Sequence, residues 1–473
     1  MYHLTMALLI PVNTIGGLVF GYDIAGAGAT FVMTGFKEHF GWSCVPGDEG
    51  CVADSQESID RQQGAINGLF GAGATIGAIL NPYIADRWGR KKCLFLASTI
   101  FTIGATLQTI SPVMEVMYIG RIIAGSGIGA LSMGSPVYIA ECAPEEFRGS
   151  LGTLWQLAIT VGIVIASAAN LGLKNWDEGW RLSYGGNILV SILLILCLHF
   201  MPESPRWLAA NGTEEELNSA LEKLRYEDEV DAEKECLKRE VKESQENGTA
   251  SWGDLLSTDN SMRYRLFLGV GFFAAQQLSG INAIMFYAPK ILDYFFGSDG
   301  AIYGTFGLNV VNCLATFITV FSIDKVGRVK LLVSGGIIMT VSLVANAILS
   351  SMERSDTVGW FVIIFCGLYI VGFAYSWGPV PWVVCSEMLP LHARGKSNGA
   401  TSMTHWLFTT VIGALFPRAA TASLSGCFGF FSFVIVIGIV MIYLYEPETK
   451  GLDIFQIDQK FANHKVKVLR KDW

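Results

Sequence analysis

Asp86-Arg-Trp-Gly-Arg-Lys-Lys92 has a counterpart later in the chain, Asp324-Lys-Val-Gly-Arg-Val-Lys330, and both follow the pattern D-x-x-G-R-x-K. Two further signatures also occur twice and in the same order. They are Glu141-Cys-Ala-Pro-Glu-Glu-Phe-Arg148-Gly149 with Glu387-Met-Leu-Pro-Leu-His-Ala-Arg394-Gly395, and, more loosely, Pro202-Glu-Ser-Pro-Arg206 with Pro447-Glu-Thr-Lys-Gly451. Three repeated signatures, each offset by close to half the chain, indicate a tandem duplication.

The composition is that of a membrane protein, because 51% of the 473 residues are hydrophobic and only 16% are charged. A helix needs about 20 consecutive, mostly apolar residues to cross the hydrocarbon core. Twelve stretches meet this requirement: 5–35, 62–85, 93–111, 114–140, 149–172, 182–201, 264–293, 300–323, 331–351, 358–386, 396–417 and 424–445. The sequence therefore predicts an all-α membrane protein with twelve transmembrane helices. Duplicated membrane halves are typical of transporters.

Glycines recur at four-residue spacing inside these stretches. The pairs are Gly64 with Gly68, Gly73 with Gly77, and Gly125 with Gly129. Such pairs let helix backbones approach closely in lipid, so we interpret them as packing positions.

Lysine and arginine predict the orientation in the membrane. They are concentrated in the segments 86–92, 203–265, 324–330, 388–396 and the tail after 446. The positive-inside rule places these segments and both termini in the cytosol, with the plasma membrane as the expected location. The net charge of −8 comes largely from the segment between the halves, so it gives no reason to expect a nucleic-acid partner.

The segment 202–262 is the predicted cytosolic linker between the two halves. Its run Glu214-Glu-Glu-Leu-Asn-Ser-Ala-Leu-Glu-Lys-Leu-Arg225 has apolar residues at helical spacing. We expect two to four short helices here. The linker is either a solvated tether or a latch that docks under both halves, and the sequence supports both interpretations equally.

Three of the ten cysteines, Cys44, Cys51 and Cys427, are predicted to lie on the oxidising side. At least one disulfide is expected among them, with its pairing left open. The other seven are expected to be free thiols.

Six motifs together resemble the sugar porter family of the major facilitator superfamily. They are Phe20-Gly-Tyr-Asp23, Asp86-Arg-Trp-Gly-Arg90, Pro202-Glu-Ser-Pro-Arg206, Gln276-Gln-Leu-Ser-Gly-Ile-Asn282, Pro379-Val-Pro-Trp382 and Pro447-Glu-Thr-Lys-Gly451. The resemblance implies two six-helix bundles around a central sugar site, working by alternating access. The expected organisation is a first bundle at 1–201, the linker at 202–262, a second bundle at 263–446 and a cytosolic tail at 447–473.

The implied substrate is a monosaccharide, glucose or a related hexose. The expected partners are this sugar, a proton and the lipid bilayer, and the monomer is the expected transport unit. No cofactor and no metal is expected.

Neutral amides inside the predicted spans are the candidate sugar ligands, because an amide both donates to and accepts from hydroxyl groups. They are Gln156, Gln276, Gln277, Asn282 and Asn312. Ser279 and Gly280 between two of them predict a helix break that turns side chains inward. The resemblance implies that these amides and Trp382 bind sugar. The alternative is hydrogen bonding between helices alone.

His405 departs from the family pattern, because many members carry an Asn or Gln at this position. It is a candidate to hydrogen-bond the sugar in its neutral form. The alternative is that it packs against a neighbouring helix.

Asp23 lies well inside the first predicted span, and Arg121 lies near the outer third of the fourth. An unpaired charge there is costly, so we expect them to pair. Proton-coupled members carry an Asp and an Arg at these positions, which implies proton symport. The alternatives are a purely structural ion pair and facilitated diffusion of the sugar.

The repeated charged signatures predict ion pairs that close the cytosolic side. The candidate gate residues are Asp86, Arg90, Glu141, Arg148, Glu203 and Arg206 in the first copy, and Asp324, Arg328, Glu387, Arg394 and Glu448 in the second. Positive-inside anchoring explains the basic residues among them but leaves the repeated acidic ones unexplained.

Two other classes of protein are less consistent with the sequence. A sugar sensor usually carries a long signalling tail, whereas the tail here, 451–473, is short and basic. An enzyme would need a catalytic signature, and the chain has no G-x-x-x-x-G-K nucleotide loop, metal-ligand cluster or nucleophile elbow.

Overall fold

The computed structural model describes residues 2–43, 56–226, 228–247, 252–257, 261–389, 393–452 and 454–463. Within these ranges the chain is helical and contains no β-strand. The helices are α1 (Tyr2–Thr30), α2 (Thr34–His39), α3 (Gln56–Trp88), α4 (Arg90–Ile110), α5 (Met114–Cys142), α6 (Glu145–Leu173), α7 (Gly179–Phe200), α8 (Pro205–Asn211), α9 (Glu214–Leu224), α10 (Val230–Asn247), α11 (Trp252–Leu255), α12 (Met262–Leu278), α13 (Ile281–Val326), α14 (Arg328–Leu349), α15 (Asp356–Gly372), α16 (Val380–Met388), α17 (Arg394–Tyr445) and α18 (Ile454–Asn463).

Ten helical stretches of the described chain are long and apolar enough to cross a membrane. Two of them, Met262–Thr319 and Lys396–Tyr445, contain 58 and 50 residues, each more than twice the length of one crossing. Non-helical backbone divides them, at Gly297 in α13 (φ 70°, ψ 173°) and at Ser423 in α17 (φ −165°, ψ 98°). Each of the two stretches therefore supplies two spans, which gives the twelve predicted.

The chain divides into two compact units that alternate along the sequence. The first comprises Met1–Asp23, Leu69–Ile163 and Tyr184–Thr249, and the second comprises Ile24–Gly68, Val164–Ser183 and Ala250–Trp473. The domain boundaries expected from the sequence stay a prediction.

Close helix crossings confirm the packing role of the spaced glycines. In the first unit, a Cβ at Gly73 of α3 would lie 2.1 Å from the carbonyl oxygen of Ile122, and one at Gly125 of α5 would lie 2.1 Å from that of Phe70. In the second unit, a Cβ at Gly64 would lie 2.4 Å from the carbonyl oxygen of Ala414 in α17. No side chain fits at these distances, so glycine sets how closely the helices approach.

The linker forms the short helices that the sequence predicts. Thr213 and Glu216 make a capping box at the start of α9. The apolar face of α9 is buried through Leu217 and Leu221, which pack with Leu208 of α8.

Arg225, at the end of α9, attaches these helices to α5. Its Nη1 donates to the carbonyl oxygen of Cys142 over 2.8 Å, and its Nη2 donates to Glu233 of α10 over 2.8 Å. A guanidinium at the C-terminal end of a helix complements the helix dipole. The helices α8 to α10 are thus docked on the first unit, as the latch interpretation expects of that half, whereas α11 belongs to the second unit and packs there through Leu255.

Candidate functional site

A break between α12 and α13 positions the amide side chains. Gly280 has φ 93°, ψ 10°, a left-handed conformation that costs glycine little, and α13 restarts at Ile281. The Ser279 hydroxyl donates to the carbonyl oxygen of Gln276 over 2.6 Å, which satisfies one carbonyl at the end of α12. The break places Gln276, Gln277 and Asn282 next to one another at the junction of the two helices.

Gln276 is fixed by a second irregular segment, the π-helical turn Phe373–Trp377 before α16. Its Nε2 donates to the carbonyl oxygens of Trp377 over 2.7 Å and Gly378 over 2.9 Å. The π-turn interrupts the regular helical bonding between α15 and α16. The amide of Gln276 therefore satisfies backbone oxygens that the irregular segment presents.

Gln277 is the centre of the amide network. Its Oε1 accepts hydrogen bonds from Nδ2 of Asn282 and, over 3.2 Å, from the Thr409 hydroxyl. Its Nε2 therefore faces Nδ1 of His405, at 2.7 Å. Nδ1 of His405 also lies 3.3 Å from Oε1 of Gln276, so it accepts from Gln277 in one tautomer of the ring and donates to Gln276 in the other.

Aromatic rings border the amides on one side. The ring centroids of Phe273 and Trp382 are 4.5 Å apart at 70°, and those of Trp382 and His405 are 5.4 Å apart at 59°. Amides beside an aromatic surface suit a ligand with many hydroxyls and an apolar ring face.

The network unites four predicted site residues, Gln276, Gln277, Asn282 and His405, and Trp382 borders it. Asn312 is buried on the second half of α13, and within the described chain no hydrogen bond joins its amide to this network. Gln156 is half-buried on α6, in the first unit. Sequence reasoning missed Thr409, although it lies one helical turn after His405 on the same face of α17.

Asp23 and Arg121 pair inside the first unit, as expected. Arg121 Nη1 lies 3.0 Å and 3.2 Å from the two carboxylate oxygens, and both side chains are buried. The guanidinium also lies 4.2 Å from the centroid of the Phe70 ring. Asn187 of α7 donates to Oδ1 of Asp23 over 3.3 Å, a contact that sequence reasoning missed.

The first copy of the repeated charges forms a cluster at the start of α4. Arg90 lies 3.0 Å from Glu141 and 3.0 Å from Asp86. Oε1 of Glu203 accepts the backbone N–H of Lys91 over 2.8 Å, and Ser204 donates its hydroxyl to Glu141. A carboxylate at a helix N-terminus satisfies unpaired N–H groups and complements the dipole.

The second copy repeats this arrangement at the start of α14. Arg328 donates to Glu387 over 2.7 Å, and Thr449 donates to the same carboxylate over 2.6 Å. Glu448 accepts the backbone N–H groups of Arg328 over 2.9 Å and Val329 over 3.1 Å. The duplication read from the sequence thus extends to individual hydrogen bonds.

Several residues predicted to form the gate or a disulfide either have different partners or lie outside the described residues. Arg206 is directed to Glu240 of α10, at 3.6 Å, rather than to the other charges of its cluster. The side chains of Arg148, Asp324 and Arg394 lie outside the described part of the chain, as do Cys44 and Cys51 entirely. Cys427 is a free thiol within the described residues. The gating role and the disulfide stay predictions.

The chain combines two sites inside its apolar helices. One holds buried amides beside an aromatic surface, and the other holds a buried carboxylate paired with an arginine. This combination is typical of a membrane transporter. The family model described as sugar (and other) transporter matches residues 9–461. The chain therefore belongs to this transporter family rather than to an enzyme family, and the resemblance noted from its motifs is confirmed.

Individual proteins agree with this assignment. The chain is 34% identical to H(+)/hexose cotransporter 2 of Parachlorella kessleri, over 95% of this chain and 85% of that protein. It is also 34% identical to the glucose transporter GlcP of Staphylococcus epidermidis, over 95% and 96% of the two chains.

A solved structure confirms the predicted fold class. The major facilitator superfamily proton:xylose symporter XylE aligns with a TM-score of 0.80 at 24% identity, over 98% of this chain and 100% of that one. The fold is the major facilitator fold, with twelve transmembrane helices in two six-helix bundles.

Proposed function

We propose that this protein transports a monosaccharide, a hexose such as glucose, across a membrane by alternating access. The observation that carries the proposal is the network around Gln277, in which the amides of Gln276, Gln277 and Asn282 meet Thr409 and His405 beside Trp382. These groups recognise hydroxyls without carrying a charge, which suits an uncharged sugar. The relatives named as hexose and glucose transporters support the same substrate class.

Sugar binding would exchange the internal bonds of this network for bonds to the sugar. In the unliganded arrangement Gln277, Asn282 and Thr409 satisfy one another, so the buried amides are not left unpaired. Hydroxyls that replace these partners keep every polar group paired and add contact with the aromatic rings. The site is therefore stable both with and without its substrate.

Asp23 and Arg121 would couple this transport to protons. Removing one charge from a buried ion pair is costly unless the partner finds another contact. Protonation of Asp23 removes its charge, frees Arg121 from the pair and so allows α1 and α5 to separate. A relative named as an H(+)/hexose cotransporter supports symport.

Facilitated diffusion is the second candidate. A buried Asp–Arg pair that never breaks would hold α1 to α5 as a structural element only. The sugar would then equilibrate across the membrane regardless of the proton gradient.

Uptake into proteoliposomes tests the proposal. Purified protein should accumulate labelled D-glucose above its equilibrium level when an inward proton gradient is imposed. An uncoupler should abolish the accumulation and leave equilibration intact. Equilibration that ignores the gradient would assign the protein to facilitated diffusion, and no saturable uptake of any hexose or pentose would reject sugar transport.

The two charge clusters at the starts of α4 and α14 act as cytosolic gates in this proposal. Both termini face the cytosol. The monomer is the transport unit, and it lies in the plasma membrane. The basic segments that cluster on one side of the predicted topology support this orientation.

A further inference from the structure

The side-chain amide of Asn67 is buried without a hydrogen bond. Asn67 lies on α3 with 0% of its surface exposed, and within the described chain neither its Oδ1 nor its Nδ2 has a partner. Buried side-chain polar groups are nearly always paired, and an unpaired one destabilises the fold. Leucine at this position would avoid that cost, so the amide requires a partner that is not part of the described chain.

Asn67 lies against the face of α17 that carries the sugar-site residues. A Cβ at Gly413 would lie 3.1–3.3 Å from the backbone carbonyl and Cβ of Asn67. His405, Thr409 and Gly413 are four residues apart and therefore share one side of α17. On this side of α17, Thr409 contacts the amide network, and Gly413, one turn further along the helix, contacts Asn67.

The contacts of α13 with α3 and α17 show how far Asn67 lies from the amide network along the helix axes. Lys290 donates to Asp60 over 2.5 Å and to Gln63 over 2.9 Å. One turn earlier on α13, the Tyr287 hydroxyl donates to the carbonyl oxygen of Gly413 over 2.7 Å. Asn67 follows Gln63 by one turn of α3, about 6 Å nearer to the amide network.

Three α3 side chains therefore form a polar stripe that points from the helix start towards the sugar site. Asp60 and Gln63, the outer two, are paired with Lys290. Asn67, the innermost, is the unpaired one.

We propose that Asn67 is a further substrate-contacting residue, which bonds one hydroxyl of the bound monosaccharide at the end of the site nearest to Gly413. The inference rests on the proposed function. Its amide offers one donor group and one acceptor beside each other, as a sugar hydroxyl requires. The hydroxyl reaches this amide when α3 and α17 move apart at the point where they now approach closely. The contact lets the protein distinguish a sugar that carries this hydroxyl from one that lacks it.

A comparison of deoxy sugars tests the contact directly. Binding of D-glucose and of its 2-, 3-, 4- and 6-deoxy derivatives would be measured by calorimetry for the parent and for Asn67→Leu. The matched control is Asn346→Leu. Asn346 is also fully buried, and its Oδ1 has no partner among the described residues, but it lies on α14, where its Nδ2 donates to Cys366 of α15. Asn67→Ser, which shortens the side chain without adding bulk, is the second variant.

Asn67→Leu should weaken D-glucose binding about five- to tenfold, the effect of one lost neutral hydrogen bond. It should leave unchanged the binding of the one derivative that lacks the contacted hydroxyl, because the mutation and the deoxygenation remove the same bond. Asn346→Leu should not alter the relative affinities.

Equal weakening for all five sugars would overturn the inference, since the residue would then act through packing. Unchanged affinities would overturn it too, since the amide would then hold only a buried water. If Asn67→Leu does not fold, the same two outcomes for Asn67→Ser decide. A parent protein that binds none of the sugars would instead reject the proposed function before any variant is compared.

Discussion

Asn187 donates its amide N–H to Oδ1 of Asp23 across 3.3 Å, and this contact joins α7 to α1 beside the ion pair with Arg121. The Oδ1 of Asn187 is itself buried and has no partner among the described residues. An amide can either donate to a carboxylate or, after rotation, accept from a protonated carboxyl. Asn187 therefore offers a hydrogen bond to Asp23 in both of its protonation states.

Asp23→Asn should abolish uphill sugar uptake driven by a pH gradient. The substitution imitates the protonated, uncharged carboxyl permanently, so the pair with Arg121 cannot re-form. Sugar binding should persist, because the Gln277 network lies in the other unit and keeps its own partners. The measurement is uptake into proteoliposomes with and without an inward proton gradient.

Asn187→Leu is the control for that experiment. It removes a neighbour of Asp23 but keeps the titrating carboxyl and Arg121, so accumulation should still follow the gradient. Gradient-driven accumulation by Asp23→Asn itself would contradict the coupling role.

Gln277→Ala should weaken sugar binding by about 1–3 kcal/mol, because it leaves a sugar hydroxyl or a buried partner unpaired. Calorimetry in detergent would measure the change. Asn309→Ala is the matched control, since Asn309 is a buried amide of the same unit that donates to Ser167 over 2.6 Å instead. Equal affinity for the parent and a folded Gln277→Ala variant would remove Gln277 from the site.

Glu203→Ala and Glu448→Ala should destabilise the protein to a similar extent, by about 0.5–2 kcal/mol each, the usual effect of losing a helix cap. Both carboxylates accept backbone N–H groups, at the starts of α4 and α14. Thermal unfolding would record both losses.

Asp86→Ala is the comparison for the two cap variants. Its side chain is 74% exposed, and its surface pair with Arg90 should contribute less than about 1 kcal/mol. A thermal stability unchanged by either cap variant would show that these bonds do not hold the helix starts.

A disulfide between Cys44 and Cys51 is expected, because both lie on the predicted oxidising side and Cys427 is a free thiol in the part of the chain that the structure describes. Peptide mapping of native protein under non-reducing conditions should recover the two cysteines in one linked species. Alkylation of both by a thiol reagent before reduction would be the contrary result.

Asn211-Gly-Thr and Asn247-Gly-Thr match the acceptor pattern for N-glycosylation but should carry no glycan in a eukaryotic host. Both fall in the linker, which the positive-inside rule places in the cytosol. Mass spectrometry of tryptic peptides would decide this point. Glycan on either asparagine would reverse the predicted orientation.

The sequence by itself determined the duplication, the membrane class and the twelve spans. These properties depend on residue order and on the length of apolar runs, which a chain carries whatever its neighbours in space. It also singled out Gln276, Gln277 and Asn282, because a glycine break between paired amides is a local pattern. The Asp23–Arg121 pair was predictable for a similar reason, since a charge well inside an apolar span is costly unless it is paired with an opposite charge.

Tertiary structure alone decided which distant groups complete these sites. Thr409, Asn187 and Asn67 look like ordinary polar residues in apolar helices, and nothing in their local sequence indicates their neighbours. Arg206 matches a gate motif, yet it faces Glu240 of the linker. Such contacts depend on the rotation and closeness of packed helices, set by glycine crossings such as Gly64 on Ala414, and local sequence does not encode these quantities.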